Sequence, residues 1–140
     1  MATEQNKKKA LEIFGLLNQK KLDDVVSLYS ADARFYGFAP QTLDKTGYRQ
    51  SMDALLTAFP DAHFQVEDII AEGDTVTVRH NFQGTQRKEY QGIPVTGKSA
   101  LAHAIATIHF KNGQPIDTYL NAEFLAILQQ LGAIPTPGQA

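Results

Sequence analysis

The hydrophobic period of this chain switches from helical to alternating at Pro60 and back to helical near Phe124. That block of alternation constrains the fold more than any other feature, because a period of two can be buried only by a sheet. Upstream of it, Ala10, Phe14 and Leu17, flanked by Leu11 and Ile13, predict a helix over residues 4–19. Leu22, Val25, Val26 and Tyr29 predict a second, short helix over 22–29, and a brief strand follows over 33–37. Tyr48, Met52, Leu55, Leu56 and Phe59 keep helical spacing over 46–59, with Thr46 as the expected cap and Pro60 as the stop. Within the block, strands are expected over 62–72, 75–86, 98–111 and 114–120, with hairpin turns at Gly73-Asp74 and Asn112-Gly113. Phe124, Ile127, Leu128 and Leu131 then predict a terminal helix.

Helices first and an antiparallel sheet afterwards imply an α+β fold with the helices on one sheet face. A strand over 98–111 would reach roughly 46 Å at ~3.3 Å per residue, so it must bend or carry a bulge. A bent sheet wrapped around helices forms an α+β cone, whose open end is a natural pocket. The turn at Asn112-Gly113 allows two registers. A two-residue turn sets Lys111 opposite Gln114 and His109 beside Ile116. A bulged turn sets Phe110 opposite Gln114. The bulged register is expected, because it gathers His103, Ile105, Thr107 and His109 with Asp117, Tyr119 and Asn121 on a polar face that would line the pocket. The opposite face of Ala100, Ala102, Ala104, Ala106, Ile108 and Phe110 is then almost wholly apolar, and is the expected seat of a homodimer with C2 symmetry.

At 140 residues the chain fits one domain over 1–140, with a loose tail at 134–140. A charged content of 20% and a net charge of −2 offer no field for nucleic acid or an anionic membrane. The basic clusters Lys7-Lys8-Lys9 and Lys20-Lys21 fit the wet face of the first helix. With no cysteine there is neither a disulfide nor a thiolate metal site. The N-terminus lacks the apolar core of a signal peptide, and no apolar run approaches the ~18 residues of a membrane span. The expected location is the cytoplasm.

Residues 84–98, GTQRKEYQGIPVTGK, admit two readings. Gly92 through Ser99 fits the phosphate-cradling pattern G-x-x-x-x-G-K-[ST]. That cradle needs a buried strand before it and a helix after it. The preceding residues are polar, Pro94 removes an amide donor, and Ile105, Thr107, Ile108 and Phe110 favour a strand downstream. No nucleotide is therefore expected. The same stretch resembles the GTHxGEFxGIPPTGK segment of SnoaL-like polyketide cyclases. The resemblance extends over residues 59–85 (FPDAHFQVEDIIAEGDTVTVRHNFQGT) and 112–135 (NGQPIDTYLNAEFLAILQQLGAIP), where the family pattern is close to DGKIxExWxxxDxxxLxQQLG. It covers about the C-terminal two-thirds of the chain.

This resemblance implies a ketosteroid-isomerase-like cone and a small apolar or polyketide-like ligand. It also implies ring closure by aldol condensation, with one carboxylate as general acid/base and neither metal nor cofactor. The family's catalytic Asp position falls on Glu123, a departure whose extra methylene moves the carboxylate by about 1.5 Å, a displacement able to cost ~100-fold in rate. Glu123 also fits the first turn of the last helix, near Asn121, where a carboxylate complements the helix dipole without any chemistry. His109 occupies a strand position that in the family faces the cavity and is the second expected catalytic residue, with His109 or Asn121 stabilising the oxyanion, and Tyr119 stands where the family has Trp. His80 follows Val76 and Val78 in parity, so it points with them into the core or pocket. His103 and His109 are six residues apart, roughly 20 Å along a strand, too far to share a metal ion. Gln86 in place of the His of GTH, and Arg87-Lys88-Glu89 in place of a Gly-containing loop, weaken any assignment to the family's aromatic polyketides. A non-catalytic ligand-binding or dimerisation module on the same fold is the competing expectation.

Overall fold

The computed structural model describes residues 2–135, so most of the expected loose tail lies outside the described residues. Helices α1 (Ala2–Asn18) and α2 (Leu22–Leu28) are joined by a tight turn in which Lys20 takes a positive φ. Strand β1 (Arg34–Tyr36) precedes α3 (Lys45–Ala58). The alternating block then forms β2 (His63–Glu72), β3 (Thr75–Thr85), β4 (Ser99–Lys111) and β5 (Gln114–Ala122), and α4 (Phe124–Gln130) follows. Helix α3 starts one residue earlier than expected, and its cap is Asp44 in place of Thr46. The Asp44 backbone is extended and its carboxylate accepts the Gly47 N–H at 2.8 Å, leaving Thr46 inside the first turn.

The strands form one curved sheet in the order β1-β5-β4-β3-β2, antiparallel except for β1 alongside β5. Helices α1 and α3 cover its concave face. From α1, Ala10, Ile13, Phe14 and Leu17 share one hydrophobic core with Val76, Val78 and Phe82 of β3 and with Ala102, Ala106 and Ile108 of β4. Along β4 the alternation is strict from Ser99 to Ala106, each even-numbered residue buried and each odd-numbered one exposed.

The β4–β5 hairpin corrects the expected register. Asn112 and Gly113 both take positive φ, as a two-residue type I′ turn requires, so Lys111 pairs with Gln114 and Phe110 with Pro115. The bulge falls one step further on. Ile116 is the extra residue, next to a proline with no N–H to give, and His109 faces Asp117. Both registers keep odd residues with odd, so His103, Ile105, Thr107 and His109 do share a face with Asp117, Tyr119 and Asn121. That face is the convex one, away from the helices. The alanine row, expected outside at a dimer contact, is the one that packs beneath the helices.

Residues 92–98 are a strand connection leading directly into β4, with no helix following Lys98. Gln86 is completely buried and staples the connection. Its Nε2 donates to the Ile93 carbonyl at 3.1 Å, and its Oε1 accepts from the Thr96 N–H and hydroxyl at 3.1 and 2.7 Å.

Candidate functional site

Four alanines make the room for a cavity. Ala102, Ala104 and Ala106 on β4 and Ala122 on β5 present only methyl groups toward Phe14 and Leu17 of α1 and Met52 and Leu55 of α3. The space left between them has a volume of about 90 Å³ and a lining that is overwhelmingly apolar. It is smaller than the several hundred Å³ usual for a drug-sized ligand. At its open end it shares Phe38, Tyr90, Phe124 and Ile127 with an outer vestibule of about 250 Å³ bounded by residues 37–40 and α4. Phe38 is delivered there by Gly37, where φ is +88° and any Cβ would collide with the Leu120 carbonyl.

Into this lining project a few polar groups. His80 sits on β3 opposite Ala104, with Phe14 edge-on to its ring at 4.6 Å. It is 4% exposed, and burial holds its pKa below the ordinary imidazole value, against smaller opposing effects of the Val78 carbonyl and the Glu67 charge. Its Nδ1 lies 3.2 Å from that carbonyl, which can only accept, so in the neutral ring Nδ1 carries the proton and Nε2 keeps its lone pair. Tyr29 and Thr118 share a buried hydroxyl–hydroxyl hydrogen bond of 2.7 Å. The Tyr48 ring stacks on Phe35 at 4.0 Å. Burial pushes the Tyr29 and Tyr48 phenols well above their usual range, so both stay protonated.

The other residues singled out from sequence lie elsewhere. His103, Ile105, Thr107, Tyr119 and Asn121 are on the convex face and line no part of the cavity, a correction that follows from the orientation of the sheet. His109 is also there, with its Nδ1 2.7 Å from the Asp117 carboxylate and the Tyr119 ring edge-on to it at 5.8 Å. Tyr119 in turn stacks on Tyr36 at 4.3 Å. Glu123 is exposed and lies outside the cavity lining, although its neighbours Ala122 and Phe124 contribute to it. The Glu123 carboxylate accepts the His103 backbone N–H at 2.9 Å, and its own N–H donates to the His103 carbonyl at 3.1 Å. Gln130 does the same two residues along β4, accepting from the Leu101 N–H at 2.7 Å and donating to its carbonyl at 2.8 Å. Both side chains therefore close the edge that β4 exposes where β5 stops. Among the described residues no three of His, Cys, Asp or Glu converge closely enough to hold a metal ion, and no helix is long and apolar enough to cross a membrane.

Sequence parity found His80. It missed Tyr48 and Tyr29 as cavity groups, because each stood in a helical stripe indistinguishable from plain core. Tyrosine in such a stripe, where phenylalanine would pack as well, was the available signal.

A family model for SnoaL-like polyketide cyclases matches residues 9–131. No curated protein sequence matches. Among crystal structures, AclR from Streptomyces galilaeus, assigned provisionally as a hydroxylase, superposes with a TM-score of 0.87 at 25% identity, covering 95% of this chain and 99% of that one. A provisionally assigned SnoaL-like polyketide cyclase from Jannaschia sp. CCS1 gives 0.84 at 24% identity, covering 95% of both chains. IdmH from Streptomyces antibioticus, assigned provisionally as a polyketide cyclase, gives 0.81 at 22% identity, covering 91% of this chain and 99% of that one.

Proposed function

The chain belongs to the SnoaL-like polyketide cyclase family, and on that footing we propose that it takes a small apolar carbonyl compound into the cone cavity and acts on it by general acid/base chemistry, as in aldol-type ring closure or isomerisation, without a cofactor. His80 is the base in this reading. The observation that carries it is the His80 ring itself, the only imidazole among the cavity-lining residues, kept neutral by burial and with its proton held on Nδ1 by the Val78 carbonyl. Nε2 then accepts a proton from the carbon beside the substrate carbonyl, and the electron pair of that C–H bond moves into an enolate. The imidazolium so formed is paired with the enolate charge in an apolar site, where their attraction is strong. After the new bond forms or the double bond moves, Nε2 returns the proton to the alkoxide or to carbon. An inner volume near 90 Å³ suits one small ring, and a longer substrate would extend past Phe38 and Tyr90 into the vestibule.

The exposed apolar side chains of Leu101, Ile105 and Tyr119, each 40–43% accessible on the convex face, support a C2 homodimer through that face. Location in the cytoplasm belongs to the same reading.

Acetophenone, whose methyl protons exchange slowly with D₂O, tests the chemistry by NMR. The protein should accelerate this exchange, His80→Gln should abolish the acceleration, and Glu123→Gln should keep it. Loss in Glu123→Gln with retention in His80→Gln would transfer the role to the carboxylate at the family's Asp position. Bound acetophenone that exchanges no faster than in buffer would leave a ligand-binding module.

A further inference from the structure

The run Gln129-Gln130-Leu131-Gly132 takes no part in the cavity chemistry, yet it fixes how α4 is held. The Gln130 amide behaves as an extra strand residue against the open edge of β4. Its Oε1 accepts the Leu101 N–H at 2.7 Å, and its Nε2 donates to the Leu101 carbonyl at 2.8 Å and to the Ala126 carbonyl of its own helix at 3.0 Å. Leu131 is inserted into the core, 2% exposed. Gly132 then closes the helix with a φ of +78°. Its N–H donates to the Gln129 carbonyl, and the Ala133 N–H donates to that of Leu128.

Helix α4 is also a wall of the neck between cavity and vestibule. Phe38, Tyr90, Phe124 and Ile127 belong to both spaces. Close packing leaves a ring no clearance between four bulky side chains, so one wall has to give. Two of the walls are fixed from several directions. Phe38 follows Gly37, which lies too close to the Leu120 carbonyl for any side chain, and its ring meets Tyr48 edge-on at 5.1 Å and Phe35 at 6.0 Å. Tyr90 meets Phe59 edge-on at 5.7 Å, exchanges backbone hydrogen bonds with Ile93 at 3.1 and 2.8 Å, and sits on the connection stapled by Gln86. The third wall is held differently. α4 has 7 residues, packs mainly on β4, and leaves Leu125 61% exposed. Past the junction at Glu123, Gln130 makes its only hydrogen bonds to the sheet among the described residues. A short helix held this way opens at a lower free energy than the sheet it covers.

We propose that α4 is the access lid of the cavity and that Gln130 is its latch. When the Gln130–Leu101 pair parts, the far end of α4 swings about the Glu123 junction, draws Ile127 and Leu131 outward and widens the neck. Latch strength then sets how fast a ligand enters and leaves. Reburial of Leu131 drives reclosure, and the Gly132 cap keeps the last turn intact so that the helix moves as a unit. This rests on the reading of the cavity as the ligand site.

The test separates rate from affinity. Para-fluoroacetophenone is the probe, with its dissociation constant taken from calorimetric titration and its dissociation rate from fluorine NMR line shapes. Gln130→Ala weakens the closed lid equally with and without ligand. Entry and exit should both accelerate about tenfold, the size of the lost pair of net hydrogen bonds, while the dissociation constant stays within about twofold. A second measurement needs no variant. The Leu101 N–H is satisfied by Gln130, so in the wild-type protein its hydrogen exchange should proceed by local opening, at a rate insensitive to low urea, while the Ile108 amide follows global unfolding. Unchanged rates in a folded Gln130→Ala protein, or a Leu101 amide that exchanges only with global unfolding, would overturn the lid and leave the cavity a ligand site. If the probe does not bind the wild-type protein, the cavity reading falls and the lid falls with it.

Discussion

Strand β4 presents two rows of side chains that do opposite work. On the concave side Ala102, Ala104 and Ala106 are nearly inaccessible and leave a hollow beneath the helices. On the convex side Leu101, His103 and Ile105 are exposed. By residue type the second row looks the more functional, with its histidines and the neighbouring His109–Asp117 pair. The comparison teaches that a cavity is marked by what is missing. Close-packed interiors leave no room unless small residues are placed in register, and methyl groups opposite large helical side chains are how a sheet makes space. Chemistry then needs only a few polar groups from other elements. Here they come from β3, α3, β5 and the residue that follows α2.

The two rows should respond very differently to one and the same substitution. Ala106→Asp places a carboxylate in the apolar interior with no partner, and is expected to cost about 3 kcal/mol or more of stability in urea unfolding. Ile105→Asp, one residue away and 43% exposed, should cost less than about 1 kcal/mol in the folded chain. It should instead weaken self-association, read as a fall toward monomer mass in light scattering. A silent Ala106→Asp beside an unfolded Ile105→Asp would mean the two faces are exchanged.

Element types and most boundaries were legible because the period changes were sharp. Pro60, Gly73-Asp74 and Asn112-Gly113 lie where helix and hairpin ends require them. Face membership along β4 and β5 was legible too, since parity survives the misplaced bulge. What did not follow was which face turns inward. Parity with Val76 and Val78 sends His80 to the core or pocket, while the dimer expectation sends the alanines of β4 outward. The register pairs His80 with Ala104, so one of these had to be wrong. The contradiction stayed hidden because residues 86–98 form a long connection stapled by Gln86, and no tight turn fixed the β3–β4 register from sequence. Asp44, Glu123 and Gln130 show the same limit. Each is defined by the backbone N–H it finds, at Gly47, His103 and Leu101, and two of those partners are distant in the chain.

A smaller effect should appear on the concave side as a pH dependence. His80 is held neutral by burial, so its folded-state pKa lies below the 6.5 of a free imidazole. Between those two values the unfolded chain binds more protons than the folded one, and stability therefore falls as pH drops. The contribution is complete above about pH 6.5 and is lost as pH falls through the depressed folded-state value. Melting temperatures measured from pH 8 to pH 5 should decline more steeply for the wild-type protein than for His80→Gln. Parallel curves would mean that His80 is solvated, and would remove the basis for its role as a poised base.

The smallest expected effect concerns the residue that the family pattern favours most. The Glu123 carboxylate serves one acceptor role, toward the His103 N–H, while its backbone N–H returns a bond to the same residue. Glutamine keeps an oxygen of the same reach, so Glu123→Gln should change stability by less than about 1 kcal/mol. Glu123→Ala removes the acceptor and bares the β4 edge next to the pair made by Gln130, so it should cost more than Glu123→Gln. Edge protection would then appear in hydrogen exchange, with the His103 amide exchanging faster in Glu123→Ala and near wild type in Glu123→Gln. Carboxylate chemistry predicts a different order. Both variants would lose catalysed acetophenone exchange equally, whatever their stability, because neither can accept a proton. The measurement thus sets edge pairing against acid/base work at one side chain, and a loss of exchange catalysis in Glu123→Gln without a change in amide protection would move the functional centre from the concave face to the end of β5.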